Sequence, residues 1–148
     1  MIVTFCGHKD DIYKKDTEEK LYEILEELIK KGANEFLLGG YGSFDSLAAV
    51  TVRNLKKKYP DIKSVLVIPY INRECDKFLY DCSWYPDLEN VPKRFAISKR
   101  NECMVNKSDV VVAYVQYGYG GALNTLEYAK RKGKEIINLA KPMTCTLA

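Results

Sequence analysis

The sequence predicts an α/β fold with a mostly parallel five-stranded sheet, and three observations carry that prediction. Short apolar runs alternate with amphipathic stretches of helical length along the chain. The runs are apolar throughout rather than alternating, as strands covered on both faces must be. Glycine or polar residues close three of them, in GHKD (7–10), GGYGSFD (39–45) and QYGYGGALNT (116–125). In such sheets a ligand binds beyond the strand C-terminal ends, near the switch in strand order.

The elements follow in order. IVTF (2–5) is short and apolar, and runs into small and polar residues near Gly7, as a buried strand entering a loop does. Asp16 with Glu19 makes a capping-box pattern, Leu21, Ile24, Leu25, Leu28 and Ile29 repeat at helical spacing, and Lys30, Lys31 and Gly32 end that helix. NEFLLGG (34–40) is the second strand. SFDSLAAVTVRNLKKKYP (43–60) is a helix capped by Ser43 and stopped before Pro60. SVLVIPY (64–70) is the third strand. Periodicity is then lost over 70–93, an aromatic and proline-bearing insertion, and long loops of this kind are more often functional than idle. RNECMVNK (100–107) reads as a helix and SDVVVAYV (108–115) as the clearest strand. GYGGALNTLEYAKRKG (118–133) opens the last helix, with Leu123, Leu126 and Ala129 on one face, and KEIINLA (134–140) is the final strand.

Length and composition set the bounds. With 148 residues, 47% of them hydrophobic, the chain fits one domain over 1–148. Its 23 basic and 20 acidic residues leave a net charge of +3, a mixed surface that argues against nucleic acid as the main partner. Lys56, Lys57 and Lys58 sit where cations complement a helix C-terminus. Five cysteines (Cys6, Cys75, Cys82, Cys103, Cys145) form no C-x-x-C pair, and His8 is the single histidine, so neither a disulfide framework nor a metal site is expected. No membrane span and no leader are evident, so the expectation is a reduced, cytoplasmic protein without a resident cofactor.

The glycine-rich loops carry the chemistry. Gly39, Gly40 and Gly42 before one helix, and Gly120 and Gly121 before another, let the backbone approach an anion while the helix start offers unpaired N–H groups. The bland alternative is that they only turn the chain. Neither loop is a Walker A or a complete G-x-G-x-x-G, so ATP hydrolysis and plain NAD binding lose support. Asp45 has two roles open, capping its helix or accepting a ribose hydroxyl. Arg100 is either a phosphate clamp or a surface arginine. Glu127 faces either solvent or the cleft. Lys9 and His8, directly after Gly7, can contact a phosphate and a base, or simply build the loop.

At these residues a family resemblance enters. RNECMVNKSDVVVAY resembles the LOG segment R-K-x-x-M followed by Ser-Asp and a strand, with Arg100, Met104, Ser108 and Asp109 in register and Asn101 in place of lysine. GGALNTLEYA resembles the LOG motif P-G-G-x-G-T-x-x-E, with Tyr119 at the proline and a later glycine absent. Counting from Gly120 puts Glu127 at the final glutamate; holding Thr125 on the motif threonine puts Tyr128 there. FCGHK resembles the G-[HS]-[RK] loop of YpsA-like proteins, and GGYGSFDSLA the G-x-x-G-x-D loop of Smf/DprA-like ones. Over nearly its whole length the chain resembles the SLOG superfamily, which unites Smf/DprA, the LOG (Lonely Guy) phosphoribohydrolases and stand-alone YpsA-related proteins.

The resemblance implies a Rossmann-like three-layer α/β/α sandwich that binds a nucleotide or nucleotide-derived, ADP-ribose-like molecule. Its binding set would be Gly7, His8, Lys9, Gly39, Gly40, Gly42, Ser43, Asp45, Gly120, Gly121, Ala122 and Thr125. In LOG enzymes the matching arginine and glutamate cleave the N-glycosidic bond of a nucleoside monophosphate, which would make Arg100 and Glu127 a catalytic pair. That hydrolase is the alternative, and a Smf/DprA-like partner or nucleic-acid module is the third reading. Phe78, Tyr80, Trp84 and Tyr85 of the insertion would stack a base or, more plainly, fill a contact between copies of a homo-oligomer.

Overall fold

The computed structural model describes residues 1–71 and 74–140; Asn72 and Arg73 of the insertion, and Cys145, lie outside the described residues. In chain order the elements are β1 (Ile2–Gly7), α1 (Lys15–Lys30), β2 (Glu35–Leu38), α2 (Ser43–Lys56), β3 (Lys63–Val67), β4 (Cys82–Trp84), a 3-10 turn (Lys93–Phe95), α3 (Ala96–Lys107), β5 (Val110–Tyr114), α4 (Gly121–Arg131) and β6 (Glu135–Asn138). The sheet has the order β4-β3-β2-β1-β5-β6, and every pairing is parallel. The fold is thus the expected Rossmann-like α/β/α type, with six strands among the described residues instead of five.

The strands are apolar throughout because both faces are covered. On one face Val3, Phe5, Phe36, Leu38, Val110 and Val112 pack against Leu21, Leu25 and Leu28 of α1 and Phe44, Ala48, Val52 and Leu55 of α2. On the other, Cys6, Val111, Ala113 and Val115 meet Val105 of α3 and Leu126 and Ala129 of α4, while Leu37, Val65 and Val67 meet Met104. Successive residues of β5 therefore feed two different cores, the period-2 consequence of a pleated strand.

The sixth strand lies inside the segment expected to be irregular. β4 is three residues long and part-exposed, too short to show a period, and it is held at the edge by tertiary bonds. Asp81 accepts from the Ser64 amide at 2.8 Å and pairs with Lys56 at 2.6 Å, and Lys107 sits over the Trp84 ring at 4.4 Å. Two caps also differ from expectation. Lys14, with no side-chain cap, precedes α1, and Asp16 instead accepts from the adjacent Thr17 amide. Gly42, at φ 92°, occupies the cap of α2, leaving Ser43 as its first residue. Helix α3 starts four residues ahead of Arg100, at Ala96, and the expected strand 108–115 is trimmed to Val110–Tyr114.

Candidate functional site

The chain leaves β1 toward one side of the sheet and returns to its other side at β5, so the strand order switches between these two neighbours. Gly7 and Tyr114 are partners at the C-terminal end of that pair. Beyond them lies a cavity of about 640 Å³, walled by the loop after β1, Tyr41 and Asp45 at the start of α2, the loop between β5 and α4, the first turn of α4 and the inner side of α3. A parallel sheet places its ligand crevice at this kind of switch point.

The wall on the β5 side is an open helix start. Gly120, at φ 102°, caps α4, and a Cβ there would meet nothing within 4 Å. Gly121, Ala122 and Thr125 line the cavity; Thr125 turns its hydroxyl back to the Gly121 carbonyl at 3.0 Å. Among the described residues the amides of Gly121, Ala122 and Leu123 have no acceptor within the chain, and the first of the helix's own bonds runs from Asn124 to the Gly120 carbonyl at 3.1 Å. Unpaired N–H groups at the positive end of a helix dipole suit a phosphate.

The second glycine loop does different work. Gly39, Gly40, Gly42 and Ser43 are not cavity-lining residues. The Ser43 amide donates to the Lys9 carbonyl at 2.8 Å and its hydroxyl to the His8 carbonyl at 3.1 Å. A Cβ on Gly42 would overlap the Cα and Cβ of Lys9. This loop therefore clamps the first loop from behind, and the start of α2 is occupied by the chain itself.

The first loop is also tied across the switch point. The Gln116 amide donates to His8 Nε2 at 3.0 Å, a bond that makes Nε2 the acceptor and leaves the ring proton on Nδ1. Tyr13 donates to the His8 carbonyl at 2.6 Å. Asp11 accepts from Gln116 Nε2 at 3.3 Å and from the Tyr117 hydroxyl at 3.4 Å. His8 and Lys9 both line the cavity, with Lys9 exposed.

Arg100 is 1% exposed, the largest fully buried side chain, and lines the cavity. Its Nη1 donates to the carbonyls of Gly39 (2.8 Å) and Val67 (2.9 Å), and its Nε to Asn101 Oδ1 (2.9 Å). Asp45 accepts from the Tyr41 amide at 3.0 Å, ahead of α2, and lines the cavity; α2 has no side-chain cap hydrogen bond, so Asp45 does not cap its helix. A Cβ on Gly39 would stand 3.0 Å from Asp45 Oδ2 and 3.3 Å from the Arg100 guanidinium, so the two charged groups converge on that glycine. Glu127 is exposed on α4 and is not a cavity-lining residue; the structure does not bring it to the cavity beside Arg100.

Sequence reading missed the aromatic rim. Tyr117 and Tyr119 stack with centroids 5.8 Å apart, Tyr117 lies 4.4 Å from His8, and Tyr41 with Tyr119 is exposed at the mouth. Acidic Asp10 and Asp11 were missed as well. The available signal was Y-G-Y-G-G, tyrosines alternating with glycines between a strand end and a helix start. The aromatics singled out instead sit elsewhere: Tyr80 is buried in the core, Phe78 is 86% exposed, and none of Phe78, Tyr80, Trp84 and Tyr85 lines this cavity.

The cysteine that lines the cavity is not a nucleophile. Burial, and secondarily the charge of Asp45, push the Cys6 thiol in the cavity wall up to about 12, so it is no thiolate. Among the described residues no group of three or more His, Cys, Asp or Glu side chains is placed to hold a metal ion, and no helix is long and apolar enough to cross a membrane.

No family model matches the chain. Among solved structures it is similar to DNA processing protein A from Helicobacter pylori, a protein with a unique single-stranded DNA binding mode (TM-score 0.67, 16% identity, 93% of this chain). It is also similar to DprA from Streptococcus pneumoniae (0.64, 18%, 98%) and to the molybdenum cofactor carrier protein MCP from Chlamydomonas reinhardtii (0.62, 16%, 95%). The chain spans 64% and 51% of the two DprA chains and 78% of the carrier protein. These are Rossmann-like α/β folds, and the present fold is of that kind. In sequence it is 30% identical to the SPbeta prophage-derived protein YoqJ of Bacillus subtilis (strain 168), itself uncharacterized, across 77% of this chain and 80% of that one. The chain therefore belongs to the family of YoqJ.

Proposed function

We propose that the chain binds a nucleotide or nucleotide-derived ligand in the switch-point cavity. The observation that carries this reading is the open first turn of α4, with its unpaired amides and uncrowded Gly120, facing a cavity of nucleotide size. A phosphate sits on Gly121 and Ala122. The base lies among Tyr41, Tyr117 and Tyr119, whose rings offer stacking area. Ribose hydroxyls donate to the carboxylates of Asp10, Asp11 or Asp45. Lys9 and Arg100 offset part of the acidic charge these bring.

Calorimetric titration with the nucleoside 5′-monophosphates, ADP-ribose and inorganic phosphate tests this directly. Binding that Tyr117→Ala weakens supports it; no heat from any of them at millimolar protein-accessible concentrations removes it. Analysing the same mixtures for released base tests the phosphoribohydrolase alternative, which needs a carboxylate at the glycosidic bond that Glu127, exposed outside the cavity, does not offer. A short oligodeoxynucleotide in the same series tests the DprA-like reading. The FCGHK loop supports placing the chain beside the YpsA-related proteins, and the free thiols of Cys6, Cys75, Cys82 and Cys103 support a reduced, cytoplasmic setting. Sedimentation velocity tests the homo-oligomer, with the exposed Phe78→Ser as the variant expected to dissociate it.

A further inference from the structure

A second cavity of about 360 Å³ opens between α3 and α4 on the far side of the α4 N-terminus. It shares Ile97, Asn101, Gly121 and Thr125 with the switch-point cavity, so the two are continuous around the first turn of α4. Facing helices ordinarily meet through apolar residues, and Val105, Leu126 and Ala129 do so beneath this groove. The groove itself is polar, lined by Ser98, Asn124 and the outer parts of Tyr128, and it carries an arginine at each end. Arg94 lies against the Phe95 ring (4.8 Å) and Arg131 near the Tyr128 ring (5.7 Å), contacts that restrain two otherwise exposed guanidinium groups. Among the described residues the one acidic lining residue, Glu102, is paired with Lys99 at 3.1 Å.

We propose that this groove is a second anion subsite, and that the ligand is a nucleotide extended by a further phosphate-bearing unit, as in a 5′-phosphorylated dinucleotide. The inference rests on the nucleotide reading above. A phosphate on Gly121 and the Arg131 backbone are separated by ten residues of helix, about 15 Å along the axis. A mononucleotide with its phosphate on Gly121 and its base in the switch-point cavity leaves the groove empty, whereas a second nucleotide unit running along the groove brings its phosphate to the Arg131 side chain, with Arg94 flanking the other end. Arginine presents a fork of donors suited to phosphate oxygens. The same chemistry is offered by a free dinucleotide and by the 5′ end of a strand.

The test compares calorimetric affinities of 5′-phosphorylated dinucleotides, the matching nucleoside 5′-monophosphates and a short 5′-phosphorylated oligodeoxynucleotide. The dinucleotide is expected to bind about tenfold tighter than the monophosphate, the gain of one charge-assisted phosphate contact. The Arg94→Gln, Arg131→Gln double variant abolishes that gain and leaves monophosphate affinity unchanged. Glu102→Gln moves the other way, tightening the dinucleotide alone, a result that misfolding cannot produce. Equal affinities for dinucleotide and monophosphate on the unaltered protein, or a double variant that weakens both alike, overturn the proposal while leaving the first site standing. If neither binds, the nucleotide reading falls and this inference with it. Further tightening from dinucleotide to oligodeoxynucleotide identifies a strand end as the source; equal affinity identifies the free dinucleotide.

Discussion

Gly42 and Gly120 both cap a helix from the left-handed half of backbone space, at φ 92° and 102°, yet their surroundings differ. Gly42 is pressed against Lys9, whereas Gly120 faces open space. Gly42→Ala adds a steric clash to the backbone strain and is expected to destabilise the protein by about 3 kcal/mol. Gly120→Ala carries the strain alone, about 1 kcal/mol. Urea denaturation of the two variants measures the difference, and equal losses would mean that the second loop does not clamp the first. Glu127→Ala is expected to leave nucleotide affinity within twofold of the original protein by calorimetry, since the residue is exposed and away from the cavity; a tenfold loss would return it to the site.

Among the elements, β4 depends most on polar anchoring. Burial acts to raise the Asp81 carboxyl, but the Lys56 hydrogen bond, the Ser64 amide and the Lys56 charge outweigh it and hold it below the usual carboxylate range. A carboxyl lowered in the folded state adds stability above the unfolded value, near 3.9, and loses it as pH falls through that value and below. Asp81→Asn is therefore expected to cost about 1 kcal/mol at pH 7 and to flatten the decline in stability between pH 5 and pH 3, read from urea midpoints across that range. If the variant's acid profile matches the original, the anchor contributes nothing. This dependence explains what the sequence could and could not show. Long apolar runs such as VVVAY, and helices with Leu21, Leu25 and Leu28 in phase, declare themselves locally. CSW is three residues whose strand state is set by partners distant in sequence, and no local pattern carries that. The site behaves likewise. Glycines at strand ends located the switch-point cavity, but whether a loop cradles a ligand or braces another loop depends on the Lys9 backbone meeting Gly42. That is a tertiary fact, and so is the exposure of Glu127.

At the scale of the molecule, one sheet separates two helical layers, and the cavity sits where the central strands part. The strands β1 and β5 are flanked on both sides by neighbours and packed on both faces, whereas β4 and β6 are edges. The edge β6 is reinforced: Asn138 brackets Val115, accepting from its amide at 3.1 Å and donating to its carbonyl at 3.0 Å. That bracket fixes the start of the loop running to Gly120, so the sheet edge and the ligand loop are mechanically joined. Hydrogen exchange without ligand should rank β1 and β5 slowest and β4 fastest among the strands. A saturating nucleotide should then slow exchange at residues 115–122 and at the first loop, because the Gly121 and Ala122 amides gain an acceptor and the loop Asp11 holds to Gln116 and Tyr117 loses mobility. β4 and the insertion, remote from the switch point, should not change. Asn138→Ala provides the mechanical control: it should speed exchange at Val115 and weaken nucleotide binding a few-fold without touching any cavity-lining residue. Slowing confined to the insertion, with 115–122 unaffected, would move the binding site off the β1–β5 switch point altogether.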